Sequence, residues 1–167
     1  MKRILIREPL WFAVSLAIPV ITGLISGALT KNAMVQYASF QKPPLSPPGW
    51  LFPVVWTILY LMMGLASYFI ITAETDGMRN VTALFVYGLQ LVFNFVWSII
   101  FFNLGEYLFA FVWLMGMWVL EIVAAILFYR IIRGAGLLLI PYILWTTFAA
   151  YLNLATYIMS RTPAALT

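Results

Sequence analysis

The sequence predicts an all-α integral membrane protein, a five-transmembrane-helix bundle forming one domain over residues 1–167, and three observations lead there. Hydrophobic residues make up 65% of the chain, charged residues only 8%, and mean hydropathy is +1.02. A soluble domain carries about 25% charged residues, so this chain cannot clothe itself in an ordinary water-facing surface. Five apolar stretches recur along it, each long enough to cross a hydrocarbon layer of about 30 Å at about 1.5 Å per residue. None alternates polar with apolar residues, and open strands would leave backbone groups unpaired in lipid, so helices are the spanning form.

The stretches run approximately over residues 9–30, 50–73, 80–104, 107–130 and 135–160. The first opens at Glu8-Pro9, where proline suits the first helical position, and stops at Lys31-Asn32. Lys2, Arg3 and Arg7 precede it in the manner of a secretory signal, but its length suits a full span and further hydrophobic segments follow. The second ends in the polar turn Glu74-Thr75-Asp76-Gly77. Only Asn103-Leu104-Gly105-Glu106 separates the third from the fourth, which predicts a tight antiparallel pair, and Arg130 to Gly136 divides the fourth from the fifth. The long connection, residues 31–49, holds Pro43, Pro44, Pro47 and Pro48, which cannot continue a helix and stiffen it in extended or turn conformations.

Charge then orients the bundle. Lys2, Arg3, Arg7, Arg79, Arg130 and Arg133 fall on the side of the N-terminus; Lys31, Lys42 and Arg161 fall on the other. Positive residues accumulate on the cytoplasmic side, so the N-terminus is expected in the cytoplasm, with the proline-rich loop and the C-terminus opposite. The net charge of +4 is dispersed rather than gathered on one face, which argues against a nucleic-acid partner. Without cysteine or histidine there is no thiolate nucleophile, no imidazole base and no common transition-metal site. No metal and no cofactor is expected.

Few side chains within the spans carry chemistry. Glu121 lies near the middle of the fourth, where an acidic side chain costs roughly 2.5–3.5 kcal/mol, so it must face protein or a wet cavity. It is either a ligand or proton contact or a carboxyl hydrogen-bonded to a neighbouring helix. Gln90, Asn94, Ser98, Thr146 and Asn153 are read mainly as interhelical bonds, and Gly23 with Gly27 as a small-residue contact whose partner is another helix or a second protomer. Trp11 and Trp50 sit near span ends, as interfacial tryptophans do. Trp56, Trp97 and Trp145 lie deeper, either packing the interior or walling a slot for an aromatic macrocycle.

The segment Gln36-Tyr37-Ala38-Ser39-Phe40-Gln41-Lys42-Pro43-Pro44-Leu45-Ser46-Pro47-Pro48-Gly49-Trp50, followed by Val55-Trp56-Thr57-Ile58-Leu59-Tyr60, resembles the first-loop signature of the TspO/MBR family of translocator and tryptophan-rich sensory proteins. Leu91-Val92-Phe93-Asn94-Phe95-Val96-Trp97 and the run from Pro141 to Asn153 resemble the same family, so the likeness extends from Leu10 to Arg161. It implies a five-helix bundle, often dimeric, with a ligand cavity beneath the first loop that takes porphyrins and haem-pathway tetrapyrroles, isoquinoline and benzodiazepine drugs, and in some members sterols. By position the implied ligand-binding residues are Tyr37, Pro47, Pro48, Trp56, Asn94, Trp97, Trp145, Ala149 and Leu152. Trp56 and Trp145 match the pair implicated in light-driven porphyrin breakdown by some bacterial members. Leu154, Tyr157 and Arg161 resemble the family's sterol motif, and the last two serve equally as interfacial anchors. Gln36, Leu45 and Phe109 stand where the family usually has tryptophan, which touches ligand choice more than fold.

Three functions are thus expected to compete: binding of a flat, apolar tetrapyrrole for transport or sensing; photochemical porphyrin degradation through Trp56 and Trp145; and a membrane interaction protein, dimeric and lipid-embedded, whose cavity is vestigial.

Overall fold

The computed structural model describes residues 8–32, 35, 43–75 and 77–161. Among these, helix α1 is Pro9–Leu29, α2 is Leu51–Ile71, α3 is Gly77–Ser98, α4 is Tyr107–Ile131, α5 is the short Arg133–Leu137, and α6 is Ile140–Arg161. A π-helical turn, Ile99–Leu104, continues α3. Five helices, taking α3 with its extension and α5 with α6, are long and apolar enough to cross a membrane. The chain is a multi-pass integral membrane protein.

The span boundaries fall within three residues of those expected; the second span ends at Ile71 rather than 73, and two spans begin earlier. The third span begins at Gly77 rather than residue 80, because Asn80 reaches back to cap the preceding turn: its Nδ2 donates to the Ala73 carbonyl (3.1 Å) and its Oδ1 accepts from the Thr75 hydroxyl (2.6 Å). The fifth begins at Arg133 rather than 135, as the short α5 whose buried Ala135 and Gly136 pack onto α4. A methyl at Gly136 would come within 2.7 Å of the Ala125 carbonyl oxygen, so only glycine permits that approach. The turn joining the third and fourth spans is tight, as expected, and closes on Gly105 with φ +67°, a left-handed conformation that glycine adopts without strain.

Helix α1 packs chiefly on α2, α3 on α4, and α4 on α6, while α5 wedges against α2 and α4. Proline at position 19 has no N–H, so the carbonyl of Ser15, four residues earlier, lacks its helical partner. Gly64 of α2 backs onto that carbonyl; a methyl there would meet Ser15 O and Leu16 Cα at 2.8 Å. The interior divides into two apolar clusters. One, around Met63, Ile70, Phe128 and Tyr142, fills the half of the bundle near α5; the other, around Trp97, Phe101, Leu114 and Met117, joins α3, its π-helical turn and α4.

Candidate functional site

A cavity of about 560 Å³ lies between α1, α2, the α3 extension and α6, beneath the described part of the proline-rich loop. Each wall is placed by local sequence. Small residues let α1 border it closely with Gly23, Ser26, Gly27 and Ala28. From α2 come Phe52, Trp56 and Tyr60, four residues apart and so on one face of the helix. The π-helical turn presents the adjacent Phe101 and Phe102, and α6 contributes Trp145, Ala149, Leu152 and Asn153. Pro43 and Ser46 roof it, and the Tyr151 hydroxyl of α6 holds that roof by donating to the Pro44 carbonyl (2.9 Å). Of the lining residues, Leu24 is 68% exposed and Gly27, Pro53 and Thr57 are also exposed, so the cavity reaches the surface between α1 and α2.

The aromatic walls are locked from behind. Tyr60 stacks on Trp56 (5.4 Å between ring centroids, 30° between planes) and donates its hydroxyl hydrogen to Asn94 Oδ1 (2.9 Å). Asn94 Nδ2 donates to the Tyr142 oxygen (2.9 Å), and Tyr142 donates to Gln90 Oε1 (3.0 Å). These four buried side chains thereby tie α2, α3 and α6 together. A second lock fixes Trp97, whose indole N–H donates to Asn153 Oδ1 (3.1 Å), while Asn153 Nδ2 donates to the Tyr107 carbonyl (2.8 Å). Trp145 is different: its Nε1 is buried and meets no hydrogen-bond partner. It packs edge-on against Phe52 (5.8 Å).

Of the residues read from the sequence, Trp56, Trp97, Trp145, Ala149 and Leu152 border this one cavity. Asn94 does not; it stands behind Tyr60, because its side chain is consumed bridging two tyrosines. Pro47 and Pro48 do not border it either; the chain turns at Pro43–Ser46 (Ser46 N–H to the Pro43 carbonyl, 3.2 Å), and it is Pro43 and Ser46 that stand over the opening. Tyr37 lies outside the described residues. Leu154, Tyr157 and Arg161 fall near the end of α6, with the Arg161 guanidinium 5.1 Å from the centre of the Tyr157 ring. Glu121 is buried away from the cavity, where its Oε2 accepts from the Thr146 hydroxyl of α6 (2.5 Å), the interhelical alternative of the two. Gly23 meets α2 of its own chain.

Sequence reasoning missed Tyr60, Phe52, Phe101, Phe102 and the wall from α1. Phe52 and Tyr60 were within reach, four residues on either side of Trp56. The paired phenylalanines were not, because a π-helical turn changes which residues share a face.

The comparisons with known proteins agree with this architecture. The TspO/MBR family model matches residues 15–159. The tryptophan-rich protein TspO of Chlorobaculum tepidum is 32% identical over 148 residues, covering 88% of this chain and 94% of that one. The tryptophan-rich sensory protein of Cereibacter sphaeroides is 36% identical over 117 residues (70% and 72%), and the translocator protein of Ovis aries 38% identical over 119 (70% of each). With a match over so much of its length, this chain belongs to the TspO/MBR family of membrane translocator and sensory proteins.

Proposed function

We propose that the protein binds a flat, apolar ring, a porphyrin or related haem-pathway tetrapyrrole, in the cavity beneath the proline-rich loop, for transport or sensing. The observation that carries this reading is the wall itself: Trp56, Tyr60, Trp97, Phe101 and Trp145 surround a space of about 560 Å³, within the range of about 300–1,000 Å³ usual for ligand sites. Binding energy comes from burying ring surface against these aromatics, with offset or edge-on stacking adding about 0.5–1.5 kcal/mol for each good pair. Because Tyr60 and Trp97 are already hydrogen-bonded in place, little rotamer freedom is lost when the ligand enters. The isoquinoline and benzodiazepine drugs implied by family likeness would use the same surfaces.

Titrating the protein in lipid nanodiscs with protoporphyrin IX and following tryptophan fluorescence tests this. Saturable quenching, weakened at least tenfold by Trp56→Ala, is the expected result; no binding tighter than millimolar by porphyrin or isoquinoline would leave the cavity vestigial and favour an interaction role.

A second reading, light-dependent porphyrin degradation, is favoured by one observation: both Trp56 and Trp145 border the cavity. It requires Soret-band loss on illumination that slows in Trp56→Phe and Trp145→Phe. Unchanged decay in both variants removes it.

The six-to-three distribution of Lys and Arg supports a cytoplasmic N-terminus. Cysteines placed at Lys2 and Lys31 should then be labelled by impermeant reagents from opposite sides of intact cells or spheroplasts; labelling from one side would refute it.

A further inference from the structure

The polar groups around the cavity are unevenly spent. Most donors in the cavity wall are engaged, Tyr60 with Asn94, Trp97 with Asn153 and Asn153 with the Tyr107 carbonyl, while the buried Trp145 Nε1 is left without a partner. At the loop end the hydroxyl of Thr30 donates to the Ser26 carbonyl (2.8 Å), and that of Ser46 to the Pro43 carbonyl (2.7 Å). Beside them stands Lys31, the one charged side chain among the described residues that line the cavity. No described carboxylate borders the space to neutralise it. Lys31 sits at the rim where α1 gives way to the loop, and its ammonium has three donors to offer there. Opposite that rim lies the aromatic interior.

A space with one cationic end and an aromatic body is complementary to an amphiphile with an acidic end and a flat apolar body. Resting on the tetrapyrrole reading above, we propose that Lys31 makes the site selective for ring ligands bearing a carboxylate, which lies at the loop end on Lys31 Nζ while the ring descends between Trp56, Tyr60 and Trp145. The arrangement keeps the ligand's charge at the water boundary, where it need not be desolvated, and uses the ammonium as an orienting contact. A neutral ester of the same shape gains the stacking but not the ion pair with the ammonium, keeping only the weaker acceptor of an ester carbonyl. The competing account of Lys31 is a long cation reaching to lipid headgroups from a helix end, which involves no ligand at all.

Protoporphyrin IX and its dimethyl ester separate these accounts, because they share a ring and differ in charge. Both are titrated into full-length protein in phosphatidylcholine nanodiscs, with empty nanodiscs as the partition control, for the wild type and for Lys31→Gln, Lys31→Glu and Lys31→Arg. The wild type is expected to prefer the diacid about five- to tenfold, the size of a partly exposed charged hydrogen bond. Lys31→Gln should abolish the preference, Lys31→Glu should reverse it, and Lys31→Arg should keep it, with ester affinity equal in all four proteins as the measure of an intact cavity. Raising the salt concentration should erode the preference in the wild type and in Lys31→Arg, and leave ester affinity unchanged. Equal binding of diacid and ester by the wild type, or a preference that survives Lys31→Gln, overturns the role of Lys31 while leaving the cavity as a tetrapyrrole site. Failure of both ligands to bind any variant overturns the underlying reading and this one with it.

Discussion

The ring of Tyr60 occupies the space a side chain on Gly23 would need: a methyl built there falls 2.2 Å from Tyr60 Cε2 and 2.7 Å from Cδ2. One glycine on α1 therefore decides where the inner wall of the cavity stands. Tyr60 is pinned on its far side by Asn94 and stacked on Trp56, so it cannot yield without breaking both contacts.

Gly23→Ala is accordingly expected to destabilise the protein by about 1–3 kcal/mol, the usual cost of overpacking, and to weaken porphyrin binding. Tyr60→Phe keeps the ring and removes only the bond to Asn94. Interhelical hydrogen bonds in membranes average about 0.6 kcal/mol, so its loss should be smaller. Thermal unfolding of both variants in one detergent checks the order, and a Tyr60→Phe protein less stable than Gly23→Ala would contradict it.

The two deep tryptophans should respond differently to truncation. Trp97 donates to Asn153, and Trp97→Phe leaves the buried Asn153 Oδ1 short of a donor at a cost of about 1 kcal/mol beyond the lost packing. Trp145 Nε1 has no partner to lose, so Trp145→Phe removes an unsatisfied donor and costs packing alone. Chemical denaturation should rank Trp97→Phe as the less stable of the pair.

These contrasts mark what was legible in the sequence. The five spans followed from hydropathy alone, since burial in lipid demands long uninterrupted apolar runs whatever their packing partners. Trp56, Trp97 and Trp145 could be nominated because large rings far from the interfaces need a reason to be there. Asn94 was legible from the residues as an interhelical bond, the bridge it forms between Tyr60 and Tyr142, whereas the family likeness had put it on the ligand; a polar side chain in a span looks the same in both roles until the neighbouring helices are in place. The wall from α1 could not be nominated, since its glycines carry no side chain to announce a contact. The span starts at Gly77 and Arg133 escaped for a related reason: polar residues at a membrane boundary continue a helix when a side chain such as Asn80, or a close contact such as Gly136 on α4, supports the turn.

Glu121 offers a test of coupling between helices. Its carboxyl meets Thr146 across α4 and α6, away from the cavity. A double-mutant cycle with Glu121→Gln and Thr146→Val should yield a coupling energy of about 0.6–1.7 kcal/mol, the span from the average to the largest measured for such bonds. Glu121→Gln alone keeps an acceptor for the hydroxyl and should change stability little. Ligand affinity should be the same in all members of the cycle, and a tenfold loss in Glu121→Gln would mean the carboxyl acts on the site.

Glycines that differ only in what surrounds them should give opposite signs on replacement. Gly64 faces backbone, with Ser15 O and Leu16 Cα each 2.8 Å from where a methyl would sit, and neither atom can move without shifting α1. Gly64→Ala should therefore cost about 1–3 kcal/mol and loosen α1 from α2, seen as faster proteolysis near residue 32. Gly88 lies inside α3 with nothing within 4 Å of a built methyl. There alanine meets no clash and removes backbone freedom from the unfolded chain, so Gly88→Ala should stabilise by about 0.4–1 kcal/mol. If Gly64→Ala melts no lower than the wild type, the close approach of α1 and α2 at Gly64 is not what holds the first helix against the bundle.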